Sequence, residues 1–260
     1  MPLCRLLYRE GEKMQTLAVQ KQTAGLTGNA LKIIAAISMT VDHVGFMFYP
    51  TVFWLRYVGR IALPVFMFMI AEGCQHTRNR LRYYLMVVAL AVLCQSVYTL
   101  TTGSWFLCVP VSFSMAIPLV YGLQACKRAL FGGKTWVAAL WGVGLCCAIA
   151  GLWKLNKIVD LDYGFWGTML PVAASLFRQK EDAPLWLRRL DCNLVHVLAM
   201  AVAMVPLALD MGQWQWWSFL AVPLLMAYSG KRGKLPMKYF FYIFYPAHLA
   251  VLEGIAMLIN

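Results

Sequence analysis

Charge is what this chain has little of. Charged residues make up 13% of its 260 positions and hydrophobic residues 61%, whereas soluble domains carry roughly 25% charged residues. That balance excludes a soluble globular domain. The short alternating segments of an outer-membrane β-barrel are missing as well, which leaves an all-α, polytopic membrane helix bundle. Cysteine chemistry is also thin. The eight Cys show neither CxxC nor metal-type spacing, and Cys94, Cys146 and Cys147 lie inside apolar runs, where a thiol acts as a small hydrophobe. Neither HExxH nor GxSxG occurs, so a zinc-protease helix and a hydrolase nucleophile elbow are not expected; no metal is expected. There is no Gly-rich phosphate loop, and no internal repeat of the kind that builds transporters from duplicated halves. No linker divides the chain. It reads as a polar segment, 1–26, without the apolar core of a signal peptide, followed by one membrane domain, 27–260.

What is present is a series of apolar runs. A spanning helix needs about 20 such residues, and about nine runs approach that: 27–48, 53–73, 81–100, 107–124, 136–152, 163–176, 194–209, 216–229 and 239–258. The sixth and eighth are short, so one of them is read as re-entrant or tilted, and the count as eight to ten. The net charge of +12 would suggest nucleic acid in a soluble protein; here it sets orientation, and no nucleic-acid partner is expected. Arg78, Arg80 and Arg82, then Lys127, Arg128 and Lys134, then Arg178, Arg188 and Arg189, then Lys231, Arg232 and Lys234 fall in alternate connections. The other connections hold only Arg56, Lys154 and Lys157. The positive-inside bias then puts the N-terminus in and the C-terminus out.

Several runs are interrupted where a bilayer is least tolerant. A charge at bilayer depth costs roughly 2.5–3.5 kcal/mol on insertion scales, yet Asp42 and His43 lie in the first run and Arg60 and Glu72 in the second. His43 can take a proton near neutral pH and return it. Asp42 points about 100° away around the helix, so it is set to meet a cation on another helix, with Arg60 the nearest. Two readings stand: a structural Asp42–Arg60 pair capped by His43, or a reactive site. Lys32 lies about three turns below His43 on the same face, either snorkelling to lipid phosphates or meeting the phosphate of a donor from the cytosol. Glu72 and His76 are spaced i, i+4 and lead into Arg78 and Arg80, either a solvated helix end or forks for a phosphate-rich ligand. Asp160 and Asp162 precede Tyr163 and Gly164, as solvated caps or as a holder of an amine. The last run carries Tyr239, Tyr242, Tyr245, Pro246 and His248; a lone membrane His often only bridges helices.

Lys32 followed by Asp42–His43, Arg60 with Pro64, Glu72–Gly73, His76–Thr77, the acidic–Tyr–Gly string ending at Gly164, the basic Gly loop 231–234 and the YPxHL string at 245–249 together resemble the TraX family of membrane proteins, along most of the chain from about Leu26. The resemblance implies a membrane acetyltransferase of the bacterial inner membrane, with acetyl-CoA as donor and the N-terminal amine of a pilin-like exported protein as acceptor. On that reading His43, Asp42, Asp162 and His248 are the catalytic candidates, with His43 as general base. Lys32, Arg60, Glu72, His76, Arg78 and Arg80 are the candidates for donor binding. Two alternatives stay open: O-acetylation of a surface glycan or lipid, and a proton-coupled transporter using His43, Asp42 and Arg60.

Overall fold

A computed structural model of the chain describes residues 25–179, 183–234, 237 and 239–259. All but the end of the expected segment 1–26 lies outside these residues. The described residues form helices and, besides them, only two isolated β-bridges, Leu26 with Tyr228 and Leu107 with Leu161. The helices are α1 (Gly28–Met47), α2 (Phe53–Gly59), α3 (Ala62–His76), α4 (Arg80–Thr102), α5 (Val109–Phe131), α6 (Thr135–Leu155), α7 (Gly164–Ser175), α8 (Leu185–Arg189), α9 (Asn193–Met211), a 3₁₀ stretch Gln213–Leu220 that runs into α10 (Ala221–Met226), and α11 (Phe240–Ile259).

Local chemistry sets several ends. Thr27 caps α1, its Oγ1 accepting from the Ala30 amide at 3.2 Å, and Asn79 caps α4, its side chain accepting from the Arg82 amide at 2.9 Å; both satisfy amides that no helix carbonyl can reach. Gly103 ends α4 at φ 67°, a left-handed turn that suits glycine. Pro110 starts α5 where its missing N–H costs nothing.

Seven helices are long and apolar enough to cross a membrane: Gly28–Met47, Phe53–His76, Arg80–Thr102, Val109–Phe131, Thr135–Leu155, Asn193–Met211 and Phe240–Ile259. The other two expected spans take different forms. The run 163–176 becomes α7, with 12 residues, about 18 Å of helix against a hydrocarbon core of about 30 Å. Its length follows from its place. It packs on α3, α5 and α9, and all but Trp166 and Met169 of its residues are buried. It is the axis of the bundle and is covered by protein rather than lipid. By contrast α6 buries only Ala138 and Leu152 and turns Trp136, Leu140, Trp141 and Val143 outward, as a lipid-facing helix does. The run 216–229 becomes the 3₁₀ stretch plus α10. Trp214 stacks on Tyr57 at one end, with ring centroids 5.3 Å apart, and beyond the other end the Tyr228 hydroxyl reaches Glu72 at 3.1 Å. A 3₁₀ helix rises about 2.0 Å per residue, so few residues cover that distance.

Candidate functional site

The ionisable residues of the apolar runs gather at two levels. Arg60 and Glu72 mark them on one nearly continuous helical run, twelve residues apart, or about 18 Å at 1.5 Å per residue.

At the first level α1 and α2 approach closely. A side chain on Gly59 would collide with the carboxylate of Asp42, so only glycine lets Asp42 lie against the end of α2. Ser38 Oγ donates to the carbonyls of Val58 at 2.6 Å and Gly59 at 3.2 Å, closing the same end. Asp42 Oδ2 meets Arg56 Nη1 at 3.2 Å and its Oδ1 lies 3.5 Å from Arg60 Nη2. Arg60 Nη1 donates to the Tyr163 hydroxyl at 3.1 Å. Two guanidinium groups thus share one carboxylate. Arg60 Nε is buried without a hydrogen-bond partner.

Asp162 is fixed beside this network by backbone. Its amide donates to Leu107 O at 2.9 Å, and the Leu107 amide donates to Asp160 O at 2.9 Å. Tyr163 then takes φ 58°, the positive value of a non-glycine among the described residues, an uncommon conformation that aims its ring toward Arg60. Burial pushes the Asp162 carboxyl from 3.8 up to about 7, against the pull of the Arg60 cation and with the help of the Asp42 charge.

His43 turns the other way around α1, toward α11. Its ring lies edge-on to that of His248, with centroids 5.1 Å apart. His43 Nδ1 is 2.7 Å from Met39 O, and His248 Nδ1 is 3.1 Å from Phe244 O. A carbonyl only accepts, so in each neutral ring Nδ1 carries the proton and Nε2 the lone pair. His248 Nε2 is buried with no partner. Pro246 lies in this helix two residues before His248.

A cavity of about 420 Å³ opens beside the arginines, lined in part by Phe46, Phe53, Arg56, Arg60, Trp214 and Gln215. His43 is not in its wall.

At the second level Arg178 Nη2 pairs with Glu72 Oε1, and the Tyr228 hydroxyl donates to Glu72 Oε2 at 3.1 Å. The exposed His76 ring lies 3.5 Å from Glu72 Oε2. Lys127 Nζ donates to the carbonyls of Ser175, Leu176 and Arg178 and so satisfies the C-terminal end of α7 with a cation, the favourable sign there. Arg80 donates to Gln124 Oε1 at 2.8 Å and lies over the Tyr121 ring. Lys32 lies over Phe241, 5.6 Å from its centroid, and Arg78 is exposed.

The sequence model for the TraX protein family matches residues 27–256. The chain belongs to the TraX family. The matched span starts at the cap of α1 and ends in α11, so it takes in both levels. Among curated proteins, the probable fimbrial assembly protein FimC, serogroup H1, of Dichelobacter nodosus is 25% identical over 265 residues, 88% of this chain and 96% of that protein. An uncharacterized protein, RP591, of Rickettsia prowazekii (strain Madrid E) is 53% identical over 38 residues, 15% of each chain. No solved structure matches.

In this TraX-family chain the expected residues divide in a way their order does not show. Arg60, which the sequence offered both as the partner of Asp42 and as a donor-binding residue with Lys32, Glu72, His76, Arg78 and Arg80, lies with Asp42 and Tyr163 at the opposite level, at the break between α2 and α3. His248, read as a separate histidine, is the neighbour of His43. Glu72 is held by Arg178 and Tyr228 rather than facing solvent with the arginines. A direct polar path along α3 does not exist, since Leu63, Val65, Met67, Phe68 and Ala71 are buried apolar residues between the levels. The polar residues that climb between them stand on α11, where Tyr242, Tyr245 and His248 follow at three-residue steps, about 4.5 Å each. Sequence reading missed Arg56, Lys127, Arg178, Gln215 and Tyr228 as site members. Arg56 and Arg178 were read only as loop charges, and nothing local to Gln215 marks it.

Proposed function

We propose that this chain is a membrane acetyltransferase of the bacterial inner membrane, moving acetyl from acetyl-CoA to the N-terminal amine of a pilin-like exported protein. The observation that carries this reading is the His43–His248 pair. Two imidazoles meet inside the helix bundle, each with its Nδ1–H spent on its own helix and its Nε2 lone pair uncommitted. A purely structural histidine pair would be expected to use those nitrogens.

The chemistry follows from the groups at hand. His43 Nε2 takes a proton as the acceptor amine attacks the thioester carbonyl. The C–N bond forms, the C–S bond breaks, and the coenzyme A sulfur leaves as thiolate and is protonated. His248 orients the His43 ring. The basic end formed by Lys32, Arg78 and Arg80 receives the nucleotide from the cytosol, and the extended arm of coenzyme A runs along the tyrosine face of α11 to the reactive level. This requires the N-terminus inside, with α7 and the 213–226 segment completing nine crossings of the bundle, which agrees with the charge bias of the loops. The family membership and the fimbrial assembly name of one relative favour a pilin-like acceptor over a glycan or lipid.

Mass spectrometry of surface proteins, glycans and lipids from cells with and without the chain tests this. The expected result is loss of one acetyl group from the N-terminus of an exported protein. Loss from a glycan or lipid instead, or no acetyl difference, would overturn the reading.

A further inference from the structure

The 420 Å³ cavity is unused by the reaction described above, although it has the size of a small-ligand pocket. Its composition is uneven. Phe46, Phe53 and Trp214 are exposed aromatics at its mouth, while Arg56, Arg60 and Gln215 supply its polar wall. Gln215 is 1% exposed, and neither its Oε1 nor its Nε2 has a hydrogen-bond partner. Buried polar atoms are ordinarily paired. The charge is not fully balanced either: Arg56 and Arg60 both lean on Asp42, and burial keeps Asp162, the other carboxylate beside them, largely protonated below about 7.

We propose that this cavity binds the residues just behind the amine of a peptide chain, an apolar side chain and a nearby carboxylate, and so forms the specificity site for the acceptor, the amine itself lying outside the cavity, whose wall does not include His43. This rests on the acetyltransferase reading. The match is chemical. A peptide unit offers one donor and one acceptor, as the unpaired Gln215 amide requires. A phosphate offers acceptors only and would leave Gln215 Oε1 unpaired. An acidic side chain two or three residues along neutralises the spare positive charge through Arg56, which at 26% side-chain exposure is the more accessible of the two arginines and can take a carboxylate in bidentate fashion. The aromatic mouth accepts the apolar side chain. The acceptor is therefore selected by its first few residues, as well as by the presence of an amine.

The test uses the full-length protein in phosphatidylcholine nanodiscs and isothermal titration calorimetry. The probes are two tripeptide amides with free amino termini and apolar first and second residues, one with glutamate third and one with glutamine. Wild-type protein should bind the glutamate peptide about tenfold more tightly than its twin. Arg56→Gln should reduce that ratio to near unity. Gln215→Leu should weaken both peptides alike, by about tenfold, without lowering the Tm of the unliganded protein, because an apolar isostere removes an unpaired amide. Absence of peptide binding by the wild type, or binding that neither substitution changes, overturns the proposal. So does displacement of peptide by phosphatidylglycerol together with a rise in Tm that Arg56→Gln abolishes, which would make the cavity a lipid-headgroup site. Binding with the expected pattern but no acetyl transfer would leave the peptide site standing and remove the acetyltransferase reading. Transfer to an amine that ignores both substitutions would do the reverse.

Discussion

Replacing Glu72 with glutamine should destabilise the protein strongly, and the structure says by how much. The Arg178 side chain is 5% exposed and that of Glu72 12%, so this ion pair is buried. Glutamine keeps an oxygen for the Tyr228 hydroxyl but leaves the Arg178 guanidinium facing the Phe68 ring without its ion-pair partner, with Asp191 acting only as a weaker neighbouring charge. Removing one partner of a buried pair costs about 3–5 kcal/mol, a large share of the roughly 5–15 kcal/mol that holds a typical domain folded. Arg178→Met should cost a similar amount. The double replacement Glu72→Leu with Arg178→Met should recover most of the loss, because an apolar pair of similar volume is often neutral. The assay is reversible unfolding in mixed micelles, read as a double-mutant cycle. A Glu72→Gln protein that loses less than about 1 kcal/mol, yet binds acetyl-CoA more weakly, would refute the reasoning and return Glu72 to the donor site.

Asp162 should make stability fall with rising pH. Its folded-state value is raised from 3.8 to about 7 by burial, so the folded chain holds the proton more tightly than the unfolded one. The contribution is fully present below 3.8 and is lost as pH rises through about 7; Asp162→Asn should flatten the unfolding midpoint across that window. Arg78→Ala should raise the KM for acetyl-CoA with little change in kcat, as loss of ground-state binding does, and an unchanged KM would place the nucleotide elsewhere. In a cysteine-free background, a cysteine at Trp186 should be labelled only from the cytosolic side and one at Ile158 only from outside, both positions being exposed. The opposite pattern would invert the topology.

The class of fold was legible because composition and run length suffice for it. The Asp42–Arg60 contact was legible as well, since a carboxylate at bilayer depth must find a cation and Arg60 stands at the start of the next helix. α7 was harder to read. Its run is apolar on every side and rich in small residues, the pattern of a helix buried all round, but that pattern also fits a short span. The QWQWWSFL stretch carries no helical period, so its 3₁₀ form had no local signal. The Glu72–Arg178–Tyr228 cluster and the His43–His248 pair join residues far apart in the chain. Spacing cannot disclose them, because helix order alone does not say which helices are neighbours in the bundle. Arg56 looked like a loop charge because the tight turn after α1, which folds it back onto Asp42, is invisible in a hydropathy profile.

The most direct test of the acetyltransferase account is single-turnover transfer of acetyl from acetyl-CoA to a peptide amine by the purified protein, with His43→Gln and His248→Gln beside the wild type. The account predicts N-terminal acetylation by the wild type and a fall of about 10²–10⁴-fold for His43→Gln at unchanged donor affinity. It predicts a smaller fall for His248→Gln, which only orients the base. Folded wild-type protein that binds acetyl-CoA and transfers nothing, or a His43→Gln protein that turns over at the wild-type rate, would contradict it.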